Sequence, residues 1–271
     1  MKIVLKSTKE YGARLPFAAW VRDRPRQGRP CGLSLTTTAL IALLFLVSFL
    51  GVLIIVWLQG FLLHFDAWVL GLLPSIRAPG LTTFFRTVTA LADTQTAALL
   101  MGVIIALLWH KHQRLLAGLA VCVAASEEAV VYILKELVRR ARPDQALHLI
   151  AESSYSFPSG HAMRAMVLFG FVAYIIYKSY TSVWVRMVTI GGYVLAVLFV
   201  AVSRVYLGVH YPTDVLGSIL LGSSMMVLVI GVLEMGSRCR IIDNQKLDLT
   251  NKAMSAAPVV VVGFVLIASR T

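Results

Sequence analysis

The sequence predicts an all-α integral membrane protein: a bundle of six transmembrane helices with its active site at one membrane face. Three observations carry that expectation. Of 271 residues, 58% are hydrophobic and only 14% charged, whereas a soluble domain averages about 25% charged residues. Long runs contain no Asp, Glu, Lys or Arg: Pro30 to Phe65, Thr94 to His110, Met187 to Ser203 and Val215 to Leu233. Crossing the hydrocarbon core takes about 20 mostly apolar residues. Finally, the segments richest in polar residues of unusual type fall at the ends of these runs, on one side of the membrane once the runs are counted.

The expected spans are Thr36 to Trp57, Ala92 to Trp109, Leu115 to Val138, His161 to Tyr177, Val185 to Val202 and Thr213 to Leu233. They divide the chain into a basic cytoplasmic segment (1–32), a six-helix membrane domain (33–233) and a tail (234–271). Within the tail, the apolar stretch Pro258 to Ala268 is too short to cross at about 1.5 Å per residue, so it reads as interfacial or re-entrant. The first apolar run is too long for a cleavable leader and reads as an anchor that stays in the membrane. Cys31, Cys122 and Cys239 are scattered without paired spacing, which suggests neither a disulfide framework nor a zinc site. The net charge of +12 sits largely in membrane-flanking segments, where it reports topology and anionic lipid rather than nucleic acid.

Six spans put both termini on one face. That face carries the basic N-terminus, the Lys111/Arg114 loop, the Lys178/Arg186 loop and Arg238, Arg240, Lys246 and Lys252. By the positive-inside rule it is cytoplasmic. In a bacterial plasma (inner) membrane the motif loops then face outward, to the periplasm.

Three segments share the outer face. Lys135 to Pro143 (KELVRRARP) ends the third span, Ser156 to His161 (SFPSGH) opens the fourth, and Ser203 to Asp214 (SRVYLGVHYPTD) bridges the fifth and sixth. Lys135, Arg142 and Arg204 offer fixed positive charge suited to phosphate oxygens, bidentate from arginine and point-like from lysine. Ser159 and Gly160 precede a helix, where free backbone N–H groups and the helix dipole favour an anion, and Gly160 lets the backbone approach it closely. Around such a site His210 is the candidate nucleophile and Asp214, four residues on, the group that orients its ring. His161 is the candidate general acid for a leaving oxygen. Pro212 suits the first turn of the following helix. Nothing in the arrangement calls for a metal or other cofactor.

These segments resemble the signature of the type 2 phosphatidic acid phosphatase superfamily, K-x6-RP, PSGH and SR-x5-H-x3-D, at every signature position. Lys135, Arg142 and Pro143 match the first, Pro158, Ser159, Gly160 and His161 the second, and Ser203, Arg204, His210 and Asp214 the third. The resemblance covers roughly Phe65 to Leu233. It implies a metal-independent lipid phosphatase working through a phosphohistidine at His210, with His161 as acid. Polyprenyl diphosphate, phosphatidylglycerophosphate and phosphatidate are the substrates it allows, and an outward-facing site suits undecaprenyl diphosphate, a recycled lipid carrier. Phosphate transfer to another lipid would use the same residues.

Several residues keep two readings. Arg139 and Arg140 are either snorkelling anchors or guides for substrate. Asp66 and Asp93 read as structural, and His64, His110, His112 and His148 as solvated. Glu127 and Glu128 fall in the middle of a span, where acids face the bundle interior. Glu128 either pairs with a basic group or meets a substrate head group. Arg164, one turn after His161, could reach a second phosphate. A transporter built on Glu127 and Glu128 would need broken helices or repeated halves, and the sequence suggests neither.

Overall fold

A computed structural model describes residues 30–58 and 62–238. The basic segment up to residue 29, the tail beyond residue 238 and its apolar stretch lie outside the described residues. Eight α-helices make up the described chain: α1 (Pro30–Trp57), α2 (Leu62–Ile76), α3 (Pro79–Ala90), α4 (Thr94–His110), α5 (Arg114–Val138), α6 (Gly160–Ser179), α7 (Val183–Tyr206) and α8 (Pro212–Arg238). A single 3₁₀ turn, Gln145–Leu147, interrupts the α5–α6 loop. There is no strand among the described residues.

Five helices are long and apolar enough to cross a membrane, and α3 with α4 forms a sixth span bent by 45°. The all-helical, six-span expectation holds, with one correction. The second expected span, Ala92 to Trp109, is α4 with its ends moved by two residues or fewer; the correction is that α3 precedes it across a break at Leu91 to Asp93. Pro79 starts α3 at its first turn, where a missing N–H is no loss. The sequence reading did not anticipate α2 or α3. Both carry polar and charged residues (Asp66, Thr82, Thr83, Arg86) that interrupt an apolar run.

Helix α6 is the hub. Its spanning window is 67% buried against 17% for α7. Val167, Leu168 and Phe171 pack on Leu116, Ala117 and Ala120 of α5 and on Met101 of α4. On another flank Ala165 and Met166 meet Val197 and Val200 of α7. Helix α3 lies on the C-terminal half of α7 through Phe85 and Tyr206, whose rings are 4.7 Å apart. Both ends of α2 are tied to the end of the bundle where α7 stops and α8 starts, by Asp66 to Thr213 and by Arg77, just past its end, to Leu147 O and Tyr206 O.

Helices α1 and α8 make the closest long contact. A Cβ built on Gly231 would lie 2.2 Å from Thr38 Cγ2, and Ser224 Oγ donates to Ala42 O across the same interface at 2.9 Å. Small residues let membrane helices approach through van der Waals packing, where no hydrophobic force separates lipid from protein. Gly231→Ala is expected to lower stability in detergent by about 1–3 kcal/mol through overpacking. Gly191→Ala, with nothing within 4 Å of the new methyl, is the neutral control. Thermal unfolding in one detergent compares them, and equal melting temperatures would contradict the packing argument.

Candidate active site

One end of the bundle collects the ends of α5 and α7, the starts of α6 and α8, the break between α3 and α4, and the α5–α6 loop. All three motif segments meet there. Ser203 and Arg204 do so from the last turn of α7 rather than from a loop, which corrects the expected position of the fifth span's end. The turn that follows depends on Gly208. Its φ is +75°, and a Cβ there would fall 2.0 Å from Leu147 O, so no L side chain fits.

Helix α5 stops at Arg139, which adopts the left-handed conformation with φ 48°. The reversal separates the two arginines that the sequence left ambiguous. Arg139 stays exposed beside Glu136. Arg140 turns inward, where its guanidinium donates to Asp66 Oδ2 at 2.7 Å and pairs with Asp214 Oδ1. It also donates to Thr213 Oγ1 at 2.7 Å and stacks over Tyr211, 4.1 Å from the ring centroid. Neither arginine reaches the phosphate-type cations; Arg140 positions Asp214 instead. Asp66, 1% exposed, is structural, as expected.

Asp214 is fully buried. Its Oδ2 accepts from Ser156 Oγ and from Tyr211 N at 2.9 Å, and lies 3.4 Å from His210 Nδ1. That nitrogen has no aligned hydrogen-bond partner, so Asp214 faces the ring as a neighbouring charge. The other ring nitrogen decides the tautomer. His210 Nε2 lies 3.3 Å from Arg142 Nη1. A guanidinium can only donate, so Nε2 is the acceptor and carries no proton, and the ring proton resides on Nδ1, toward Asp214. Burial pushes the His210 imidazolium down to about pKa 3, against the pull of the Asp214 carboxylate.

The cations form a chain. Lys135 Nζ donates to Ser154 Oγ at 2.7 Å. Arg142 donates to Ser154 O at 2.6 Å and Val209 O at 2.7 Å, and its Nη2 reaches Glu152 Oε2 at 3.2 Å. The other Glu152 oxygen pairs with Arg204, whose second arm donates to Thr89 Oγ1 at 3.0 Å. Burial raises the Glu152 carboxyl, but the two guanidinium charges outweigh it and hold it below the usual carboxylate range. The loop acids and serines that complete this chain went unnoticed in the sequence, because a lone Glu in a polar loop carries no signature.

Ser159 and Gly160 sit at the start of α6. Ser159 is buried, and its Oγ has no partner. Arg204 Nε is likewise buried and unpaired. A Cβ on Gly160 would meet Arg164 at an ordinary 3.4 Å, so the protein's own packing does not require glycine there. His161 Nε2 lies 2.8 Å from Asp93 Oδ1. Asp93 opens α4 without capping it, because its carboxylate is turned to the histidine. This contact ties Asp93, read from the sequence as structural or interfacial, to His161. Both His161 and His210 act electrostatically on Glu152, which places the two imidazoles about one charged centre. Arg164 pairs with Glu128 through Nε and, at 3.3 Å, through Nη2, and reaches Ala92 O at 3.4 Å. Glu128 therefore partners Arg164, and Lys135 is held by Ser154 instead.

An all-helical membrane protein with two imidazoles, a string of guanidinium groups and a helix N-terminus at one face has the donors that suit an oxyanion. The comparisons give this class its family. The family model described as the PAP2 superfamily matches residues 114–237. A solved structure, the transmembrane PAP2 type phosphatidylglycerolphosphate phosphatase from Bacillus subtilis, superposes with a TM-score of 0.63 at 32% identity. The match covers 69% of this chain and 95% of that one. The chain belongs to the PAP2 superfamily. Phosphatidylglycerophosphatase B of Bacillus subtilis is 48% identical over 110 residues, 40% of this chain and 53% of the relative. Decaprenylphosphoryl-5-phosphoribose phosphatase of Mycobacterium tuberculosis is 35% identical over 131 residues, 46% of this chain and 64% of the relative. The chain thus spans between half and two thirds of the curated relatives it matches.

Two measurements probe this geometry. Arg140→Met leaves two buried carboxylates, Asp66 and Asp214, without their cation, and loss of one partner of a buried pair removes roughly 3–5 kcal/mol. Unfolding in detergent should show it, and a loss under 1 kcal/mol would mean that the pair is solvated. Glu152→Gln removes the carboxylate that competes for Arg142 and Arg204. Calorimetry should find orthovanadate bound about tenfold tighter, equivalent to about 1.4 kcal/mol; weaker binding would show that Glu152 organises the arginines rather than competing for them.

Proposed function

We propose that the protein hydrolyses a phosphate ester carried by a membrane lipid, through a phosphohistidine on His210 and with no metal. The observation that carries this reading is the Arg142–His210 contact, 3.3 Å to Nε2, which leaves a lone pair on a neutral imidazole beside the cations. Both curated relatives are named as phosphatases of lipid-linked phosphates.

Lys135, Arg142, Arg204, Ser159 and the N–H groups of Gly160 and His161 hold the phosphate oxygens, displacing the Glu152 carboxylate. Nε2 of His210 attacks phosphorus. An N–P bond forms as the P–O bond to the lipid breaks, and the departing alkoxide takes a proton from His161. Asp93 engages Nε2 of His161, which leaves Nδ1 as the nitrogen that hands over its proton. Water then adds to phosphorus and gives a proton back to His161, the N–P bond breaks, and inorganic phosphate leaves. Asp214 keeps the His210 proton on Nδ1 and offsets the charge that grows on the ring. A phosphate monoester suits the site better than a diphosphate, because Arg164, the cation expected at a second phosphate, is already paired with Glu128.

By the distribution of Lys and Arg, the site faces outward from a bacterial plasma membrane, with both termini in the cytoplasm. The six helices form the phosphatase domain, flanked by the basic N-terminal segment and the tail.

The assignments separate by leaving group. His210→Ala should be inactive toward every substrate, a loss on the order of 10⁶. His161→Ala should abolish lipid monoester hydrolysis but still form phosphoenzyme from an aryl phosphate, whose phenolate departs without a proton. Rapid-quench trapping measures both, and equal losses in His161→Ala would recast that residue as a phosphate ligand. Turnover should persist in excess EDTA; an absolute requirement for added magnesium would refute the metal-free mechanism.

The pH profile is a further test. Because the folded-state pKa of His210 is depressed to about 3, its nucleophilic neutral form dominates at any higher pH. Titration of His210 should therefore cause no fall in kcat/KM between pH 7 and pH 5. The same depression means that its contribution to stability is complete above the unfolded value near 6.5 and is lost as pH falls from there toward 3. An acidic limb near pH 6.5 that vanishes in no other single variant would contradict the assignment.

A further inference from the structure

One polar cluster is not used by the chemistry above. A cavity of about 250 Å³ lies between α4, α5 and α6, lined mainly by alanines with Met101, Val167 and Leu168, and with Glu127, Glu128 and Arg164 as its polar groups. Its mouth is at the exposed alanines Ala98 and Ala125, on the flank that faces lipid. Its inner end adjoins the active site, since the Arg164 guanidinium that borders it also lies 3.4 Å from where a Cβ on Gly160 would stand and bonds Ala92 O. Glu127 is 3% exposed, and its Oε1 is buried without a hydrogen-bond partner. A buried polar atom left unpaired costs roughly 1–3 kcal/mol, so a group that donates to it is favoured.

We infer that this cavity is a subsite for the hydroxyl groups of the substrate's leaving alcohol, with Glu127 and the Glu128–Arg164 pair as its acceptors and donor. The inference rests on the proposed lipid phosphatase reading and narrows it to phosphates of hydroxylated head groups. Chemistry eliminates the other occupants. A second phosphate would meet two carboxylates against one guanidinium that is already engaged. An ammonium group would lie beside the Arg164 guanidinium that lines the cavity, which repels it. A hydroxyl carries no net charge, donates to the free carboxyl oxygen and accepts from Arg164. The volume lies below the roughly 300–1,000 Å³ of sites that enclose a drug-sized ligand, which suits a glycerol- or pentose-sized unit rather than a whole lipid. Both relatives' names place the phosphate on such a unit, glycerol in one and ribose in the other.

The test compares full-length protein in mixed micelles on two lipids with the same acyl chains. Phosphatidylglycerophosphate has a free hydroxyl in its leaving group, and phosphatidate has none. Glu127→Leu should lower the ratio of kcat/KM between the first lipid and the second at least tenfold, through KM, and Glu127→Gln should restore most of it. Ala98→Leu, which narrows the mouth without touching a charge, should lower the same ratio and guards against misfolding of the buried variant. An unchanged ratio in Glu127→Leu and Ala98→Leu, or equal losses on both lipids, overturns the subsite. A second arm needs no turnover: calorimetric binding to the His210→Asn protein of glycerol 1-phosphate, propyl phosphate and ethanolamine phosphate. Glycerol phosphate should bind most tightly, with its advantage lost in Glu127→Leu/His210→Asn; tighter binding of ethanolamine phosphate would overturn the hydroxyl assignment. If the wild type hydrolyses neither lipid, the phosphatase reading fails, and this binding series still decides the subsite.

Discussion

The end of the bundle that gathers the three motifs depends on one guanidinium that is nine-tenths buried. Arg140 sits between Asp66 of α2 and Asp214 of α8, and through them it joins three segments far apart in sequence. Two carboxylates facing each other in a low-dielectric interior would repel strongly. The arginine between them offsets that repulsion. Because Asp214 is fixed in this way, with Ser156 Oγ and Tyr211 N on its other oxygen, the His210 ring can be oriented without a direct bond. The orientation of the His210 imidazole is set, through Asp214, by an arginine other than the one beside its Nε2.

A second constraint is the broken span. A continuous helix from Pro79 to His110 would satisfy its own backbone and present no carboxylate at the depth of His161. The break at Leu91 to Asp93 gives up that regularity and frees the Asp93 carboxylate for the ring at 2.8 Å. Irregular backbone inside a membrane is tolerated where protein surrounds it, and Ala92, fully buried and an acceptor for Arg164, meets that condition.

Much of this was legible in the sequence, for physical reasons. Runs without charge reveal spans because the hydrocarbon core penalises charge, and the three motifs stood out because their residue types recur at the spacing and in the order of one family signature. Lys135, Arg142, Arg204, His161, His210 and Asp214 were all identifiable from residue type and spacing. Helices α2 and α3 were not, since their polar residues break the apolar pattern while their tertiary contacts sustain them. Arg140 was indistinguishable from Arg139 in sequence, because only the left-handed turn at Arg139 sends one outward and the other in. Asp93 and Glu152 were missed for the same reason: a single acid in a loop acquires its role from a partner more than fifty residues away, Arg204 for Glu152 and His161 for Asp93.

The Glu152 bridge between Arg142 and Arg204 bears on how such a site survives in its surroundings. A bilayer is a concentrated solution of phosphodiesters, each carrying one negative charge at the height of these arginines. An open pair of guanidinium groups would be occupied by bulk lipid almost all the time. A tethered carboxylate of the same charge meets a phosphodiester as an equal in electrostatics and has the advantage of being permanently at hand. A terminal phosphate monoester, with close to two charges, outcompetes it. The internal carboxylate thus sets a charge threshold for entry, and it allows a scarce lipid to be picked out of a solvent made of its near relatives.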